Sequence, residues 1–184
     1  MEIVTITDEA KQAIAKLCNE SVVVEYDMIL NYPRIIDHIV NFEKIKDEQL
    51  IKDLNRLGLE SIGHFSKMKG MIENLGSDMA WLTSTLPRLV GVLDILDMQL
   101  GKEKAARDLY TEAKKIAIAN KITVKVGGGF SLFRRTDISE KDVVPFEQII
   151  SDLDRLIVDE ERHIKIVEDS IATFKTLMSR RGKT

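Results

Sequence analysis

Apolar residues recur at helical spacing in four stretches of the chain, and the segments between them break the pattern. The first stretch follows Thr7 and Asp8, which can cap a helix, and carries Ile14, Leu17, Val22, Val24, Ile29, Ile36, Ile39, Val40 and Phe42 as far as about Glu43. Pro33 lies inside this pattern, where it removes one backbone hydrogen bond and predicts a kink. The second stretch, Asp47 to Asn74, has Leu50, Leu54, Leu57, Ile62, Phe65, Met68 and Ile72 on its inward side, with Gly76 as a stop signal after Leu75. Gly58, Gly63 and Gly70 each weaken that helix by about 1 kcal/mol relative to alanine. Such glycines suggest the close approach of a neighbouring helix.

Ser77 to Pro87 interrupts the periodicity and reads as a crossover. A third helix is expected from Arg88 to Asn120 and a fourth from about Pro145 to Ser179, the last with Ile149, Leu153, Leu156, Ile157, Ile164, Val167, Ile171 and Phe174 inward. Between them, residues 121–145 form a long insertion with a β-prone run (ITVKV), the triplet Gly127, Gly128 and Gly129, and the apolar Phe130, Leu132 and Phe133. The triplet lacks the spacing of a phosphate-binding loop and reads as a hinge or hairpin. The expected fold is all-α: an antiparallel four-helix bundle forming one domain over residues 1–184, with residues 180–184 as a flexible tail.

Composition narrows the possibilities. With 184 residues, the chain is long enough to bury a sizeable core without disulfides or metal. A net charge of -3 gives no electrostatic footprint for nucleic acid, and no apolar run is long enough to span a bilayer. The acidic start of the chain lacks the basic region of an export signal, so a cytoplasmic location is expected. Cys18 is the only cysteine, which excludes an internal disulfide and any Cys-x-x-Cys site.

The chemistry concentrates in a few polar residues at helical spacing. Glu160 and His163, within EERH, stand three residues apart on one helix face. Glu25 precedes Tyr32 by seven residues in the first helix, and Glu103 precedes Tyr110 by seven in the third. Seven residues are two helical turns, so each pair shares a face, and the two halves repeat one another. The second helix supplies His64, but the position three before it is Ser61, with Glu60 four before. Glu60 and Ser61 differ by about 100° around the helix, although residues four apart still share a face. His38, in IIDHIV, reads as an ordinary helix residue.

On these residues, the chain resembles the ferritin-like superfamily, in particular rubrerythrin-like di-iron carboxylate proteins. The resemblance covers almost the whole length. It rests on Glu25 with Tyr32, on LESIGHFSKMKGMIENLG, on Glu103 with Tyr110 and on EERH, with Trp81 and Pro87 where such proteins often carry those residues. It implies a centre of two iron or manganese ions held by Glu25, His64, Glu103, Glu160 and His163. Glu60 would lean across to serve as the sixth ligand, because Ser61 occupies that position. Tyr32 and Tyr110 would hydrogen-bond to the ligands. The absence of a cysteine pair means that no rubredoxin-type domain accompanies the bundle, and Ala106 stands where some rubrerythrins have an extra carboxylate.

The function so implied is ferroxidase or peroxidase chemistry with dioxygen or peroxide, in a homodimer, with electrons supplied by a redox partner protein. The alternative is a metal-free bundle that keeps the pattern and serves as a structural or protein-interaction module. Its docking element would be the insertion, which Lys121, Lys125, Arg134 and Arg135 make locally basic.

Overall fold

The structure, a computed structural model, describes residues 2–80, 91–125 and 144–181. Four helices dominate it: α1 (Asp8–Asp37), α2 (Glu48–Asn74), α3 (Val92–Ala119) and α4 (Phe146–Arg181). Two short strands, β1 (Glu2–Ile6) and β2 (Lys121–Lys125), accompany them. Each helix packs against two others, giving the cyclic order α1, α2, α4, α3. Among the described residues, no helix is long and apolar enough to cross a membrane.

The helix boundaries follow local chemistry. Thr7 is extended and its hydroxyl accepts from the Ala10 amide, while Asp47 accepts from the Leu50 amide. These are side-chain N-caps that satisfy amides lacking an intrahelical partner. Helix α2 ends where Gly76 adopts φ 74°, and the Ser77 amide reaches back to the Ile72 carbonyl at 3.1 Å. That closure is a Schellman motif, and it needs glycine because the left-handed region is costly for other residues.

Pro33 does not break α1. The helix runs through it to Asp37 and then loosens into a single π-helical turn, His38–Phe42, in which the Glu43 amide bonds to the His38 carbonyl at 3.0 Å. Lys44, at φ 53°, ends the segment. Phe42, expected on the apolar face, is 70% exposed, because the change of pitch turns it outward. Ile62 is likewise exposed, one residue off the inward stripe of α2.

Of the three glycines in α2, only Gly58 marks a close approach: a Cβ there would lie 3.2 Å from Cβ of Tyr32, whereas Gly63 and Gly70 face open space. The strands were not all expected. β1 pairs antiparallel with β2 in the register Glu2 to Lys125 and Ile6 to Lys121. The first residues of the chain thus join the β-prone start of the insertion, and Ile6 is buried. The Thr7 amide continues this link to the Asn120 carbonyl at 3.2 Å.

Arg180 and Arg181 belong to α4 and not to a tail, and the Arg181 guanidinium donates to the Glu43 carbonyl. Trp81, Pro87, the glycine triplet, Phe130, Leu132, Phe133, Arg134 and Arg135 lie outside the described residues, as do the crossover beyond Ala80 and the tail beyond Arg181.

The buried positions form regular stripes. In α4 they are Ile149, Leu153, Leu156, Glu160, His163, Val167, Ser170 and Phe174, advancing by three or four residues at each step, with Ile171 buried beside Ser170. In α2 the stripe is Leu50, Leu54, Leu57, Ser61, His64, Met68 and Met71. The polar residues of interest therefore occupy positions that the helical repeat sends into the core, in line with leucines above and below them.

Candidate metal centre

All four helices contribute to one polar cluster in the middle of the core. Glu25 from α1, Glu103 from α3, and Glu160 and His163 from α4 are fully buried, and His64 from α2 is 5% exposed. His64 Nδ1 lies 2.7 Å from Glu160 Oε1 and 3.4 Å from Glu25 Oε1. His163 Nδ1 lies 3.2 Å from Glu103 Oε2 and 3.8 Å from Glu160 Oε2. The two carboxylate oxygens of Glu160 thus face one imidazole each. Donor atoms of His64, Glu160 and His163 fall within 4.8 Å of one another, close enough to hold a metal ion.

The tyrosines act across the bundle. Tyr110 on α3 donates to Glu25 Oε1 on α1 at 2.7 Å, and Tyr32 on α1 donates to Glu103 Oε1 on α3. Both phenols are pushed well above their ordinary range, first by burial and then by the neighbouring glutamates, so they remain protonated donors. Each tyrosine thereby fixes a carboxylate of the opposite helix: Glu103 keeps its second oxygen toward His163, whereas Glu25 uses the same Oε1 toward Tyr110 and His64.

Glu60 stands elsewhere. One residue off the stripe, it sits at the rim with its side chain 28% exposed, and its oxygens take 2.9 Å from Arg56 Nε, 3.1 Å from Arg162 Nη2 and 2.7 Å from His163 Nε2. Burial alone would raise its pKa, but Arg56 and His163 outweigh that and hold it below the usual carboxylate value. It meets the outer nitrogen of His163, the one turned away from Glu160.

Asp159, which the sequence reading passed over, does the same for the other ring. Its Oδ2 lies 3.5 Å from His64 Nε2, and its Oδ1 accepts from Arg162 at 2.7 Å. Glu60 immediately precedes Ser61 as Asp159 precedes Glu160, and each outer acid reaches the histidine of the other helix. The signal in the sequence is the alignment of LESIGH (59–64) with VDEERH (158–163). An approximate two-fold relation therefore pairs Glu25 with Glu103, Tyr32 with Tyr110, His64 with His163, Glu60 with Asp159, and Ser61 with Glu160. Only the last pair breaks it chemically.

The cluster is electrostatically unfinished. Burial, with the nearby charges of Glu25 and Glu103, pushes Glu160 far above the ordinary carboxylate range. Neither of its oxygens has a hydrogen-bond partner of good geometry among the described residues, and the same holds for Glu25 Oε2 and Ser61 Oγ. Buried polar atoms are normally satisfied, so orphans gathered at one point indicate a missing partner. His64 is held above the usual imidazole value because Glu25 and Asp159 outweigh the opposing effect of burial. Burial opposes the charge of Glu103 too, but His163, Glu160 and Tyr32 outweigh it and hold Glu103 below its usual value.

Two other groups stay outside the cluster. His38 stacks on Phe42 at 4.8 Å. Cys18 is buried 3.6 Å from Met71 Sδ, and burial pushes its thiol up to about 12, which makes it an inert core sulfur. The chain matches no family model, no curated protein and no solved structure.

Proposed function

We propose that the chain is a metal-binding protein built as an antiparallel four-helix bundle of the ferritin-like kind, with a carboxylate and histidine centre for two divalent ions. The observation that carries this reading is Glu160: a fully buried carboxylate without a hydrogen-bond partner of good geometry, turning one oxygen toward each of two imidazoles. The crossed contacts of Tyr32 with Glu103 and of Tyr110 with Glu25 support the antiparallel arrangement, since rising numbers in α1 meet falling numbers in α3.

The donors divide into two sets that share Glu160. One is Glu25, His64 and Glu160, the other Glu103, His163 and Glu160. Glu60 and Asp159 would accept from the outer nitrogens of the histidines, which fixes the tautomer that leaves Nδ1 free to bind and makes it more basic. Metal would offset the desolvation of three buried carboxylates that otherwise repel each other. A donor set of carboxylate oxygen and imidazole suits iron or manganese, and sulfur is not offered.

Bound iron or manganese would supply redox chemistry toward dioxygen or peroxide, the ferroxidase or peroxidase class. The protein residues hold the carboxylates through Tyr32 and Tyr110 and exclude bulk water through the leucine layers on either side. An electron donor would come from a redox partner protein, and a homodimer is the proposed assembly.

A metal-free bundle has one observation in its favour: contacts of 2.7 Å from His64 to Glu160 and from His163 to Glu60 could close the cluster without an ion. Metal content after anaerobic loading with Fe(II) or Mn(II), compared between the native chain and the double variant Glu160→Ala with His163→Ala, separates the two. The double variant should take up none.

A further inference from the structure

The two-fold relation fails at one place, and the failure has a chemical consequence. Ser61 stands where symmetry with Glu160 would put a second bridging carboxylate. It lies on the inward stripe of α2, three residues before His64, and is fully buried. Its hydroxyl has no hydrogen-bond partner among the described residues. A buried hydroxyl left unpaired is costly, so a ligand that accepts from it gains accordingly.

Charge points the same way. Three buried carboxylates, Glu25, Glu103 and Glu160, face the centre. Glu60 and Asp159 are compensated at the rim by Arg56 and Arg162. Two divalent cations against three carboxylates leave one positive charge in a low-dielectric core, which a single anion would cancel. A serine side chain at that position is also shorter than a glutamate by roughly the bulk of a small carboxylate, which is the group that symmetry with Glu160 would put there.

We infer that the two-ion state of this centre takes a small exogenous monocarboxylate, of the size of formate or acetate, on the side opposite Glu160, with Ser61 donating a hydrogen bond to it. This rests on the proposed two-ion centre and adds its substrate or effector class. The serine is thus a specificity-determining position: it exchanges an internal ligand for an external one.

The test is calorimetric titration of the metal-free protein with Co(II), in formate and in perchlorate at equal ionic strength, followed also by the visible spectrum of bound cobalt. An anion that binds only the loaded protein tightens apparent metal affinity by linkage, roughly tenfold when present at ten times its own dissociation constant. The native chain should show that gain and a formate-dependent change in the cobalt bands. Ser61→Glu should bind cobalt with less than about a twofold response to formate, and Ser61→Ala should keep the response but need several-fold more formate. Should Ser61→Glu fail to fold, the native chain and Ser61→Ala still decide the matter. Native protein that binds cobalt with the same affinity and spectrum in both salts overturns the inference and leaves metal binding standing; native protein that binds no cobalt removes both.

Discussion

The imidazoles of His64 and His163 lie nearly parallel, with centroids 5.1 Å apart and planes inclined by 17°. Each turns Nδ1 toward Glu160 and Nε2 toward an acid at the rim. Two rings from different helices, held alike at both nitrogens, present a matched pair of inward donors.

Glu160→Gln should stabilise the metal-free protein while abolishing metal uptake. The glutamine keeps the shape and removes the cost of protonating Glu160, which the folded metal-free protein must bear at pH 7 and the unfolded chain does not. A gain of about 1–2 kcal/mol, or roughly 2–8 °C in Tm for a chain of this size, is expected at pH 7. Calorimetry of the metal-free variant beside the native chain checks it; a lower Tm would mean that Glu160 already has a compensating partner.

The metal-free protein should lose stability as pH rises from about 5.5 to 8. Glu160 has a folded pKa above its ordinary value of 4.5, so the folded state holds a proton that the unfolded chain releases, and stability falls above that value. His64, raised above 6.5, contributes stability below that pH and loses it as pH rises through its folded value. Glu60 and Glu103, both lowered, act in the opposite sense, but their contribution is lost only as pH falls below about 4.5. The slope between is at most about 1.4 kcal/mol per pH unit for each proton. Bound metal should reverse the trend, because its ligands must be deprotonated. Thermal melts at several pH values, with and without Mn(II), measure both.

Glu60→Gln and Asp159→Asn should each weaken metal affinity by about 10–100-fold without changing how many ions bind. Loss of an ion from Glu60→Gln, measured by calorimetric stoichiometry, would instead make Glu60 a ligand.

Gly58→Ala should destabilise the protein, while Gly63→Ala and Gly70→Ala should stabilise it by about 0.5–1 kcal/mol each through helix propensity. At Gly58 the added methyl would meet Tyr32 Cβ at 3.2 Å, an atom tied to the backbone that cannot swing aside. Helices α1 and α2 must then separate, and the hydrogen bond from Tyr32 to Glu103 loosens with them. Denaturant melts of the three variants give the signs.

Much of this was legible in the sequence because helical spacing and core position are the same information. Glu25, Tyr32, His64, Glu103, Tyr110, Glu160 and His163 interrupt stripes of leucine, isoleucine and methionine at steps of three and four, so any bundle that buries the leucines buries them too. Glu60 was harder to place. Spacing puts it within reach of the face of His64, but whether it enters the core or accepts at the rim depends on Arg56, Arg162 and a ring on another helix, none of which the local pattern encodes. Asp159 escaped notice because one acid among several on a charged helix carries no signal until the two histidine helices are aligned. β1 was missed because its partner lies more than a hundred residues away, and pairing over that distance leaves no local periodicity.

The central claim is that the buried cluster exists to hold metal, and metal content addresses it most directly. Protein loaded anaerobically with Fe(II), freed of excess and analysed by elemental mass spectrometry should carry about two ions per chain, against none for Glu160→Ala combined with His163→Ala. A native chain no richer in iron than that double variant, under loading that saturates a known iron protein, would contradict it.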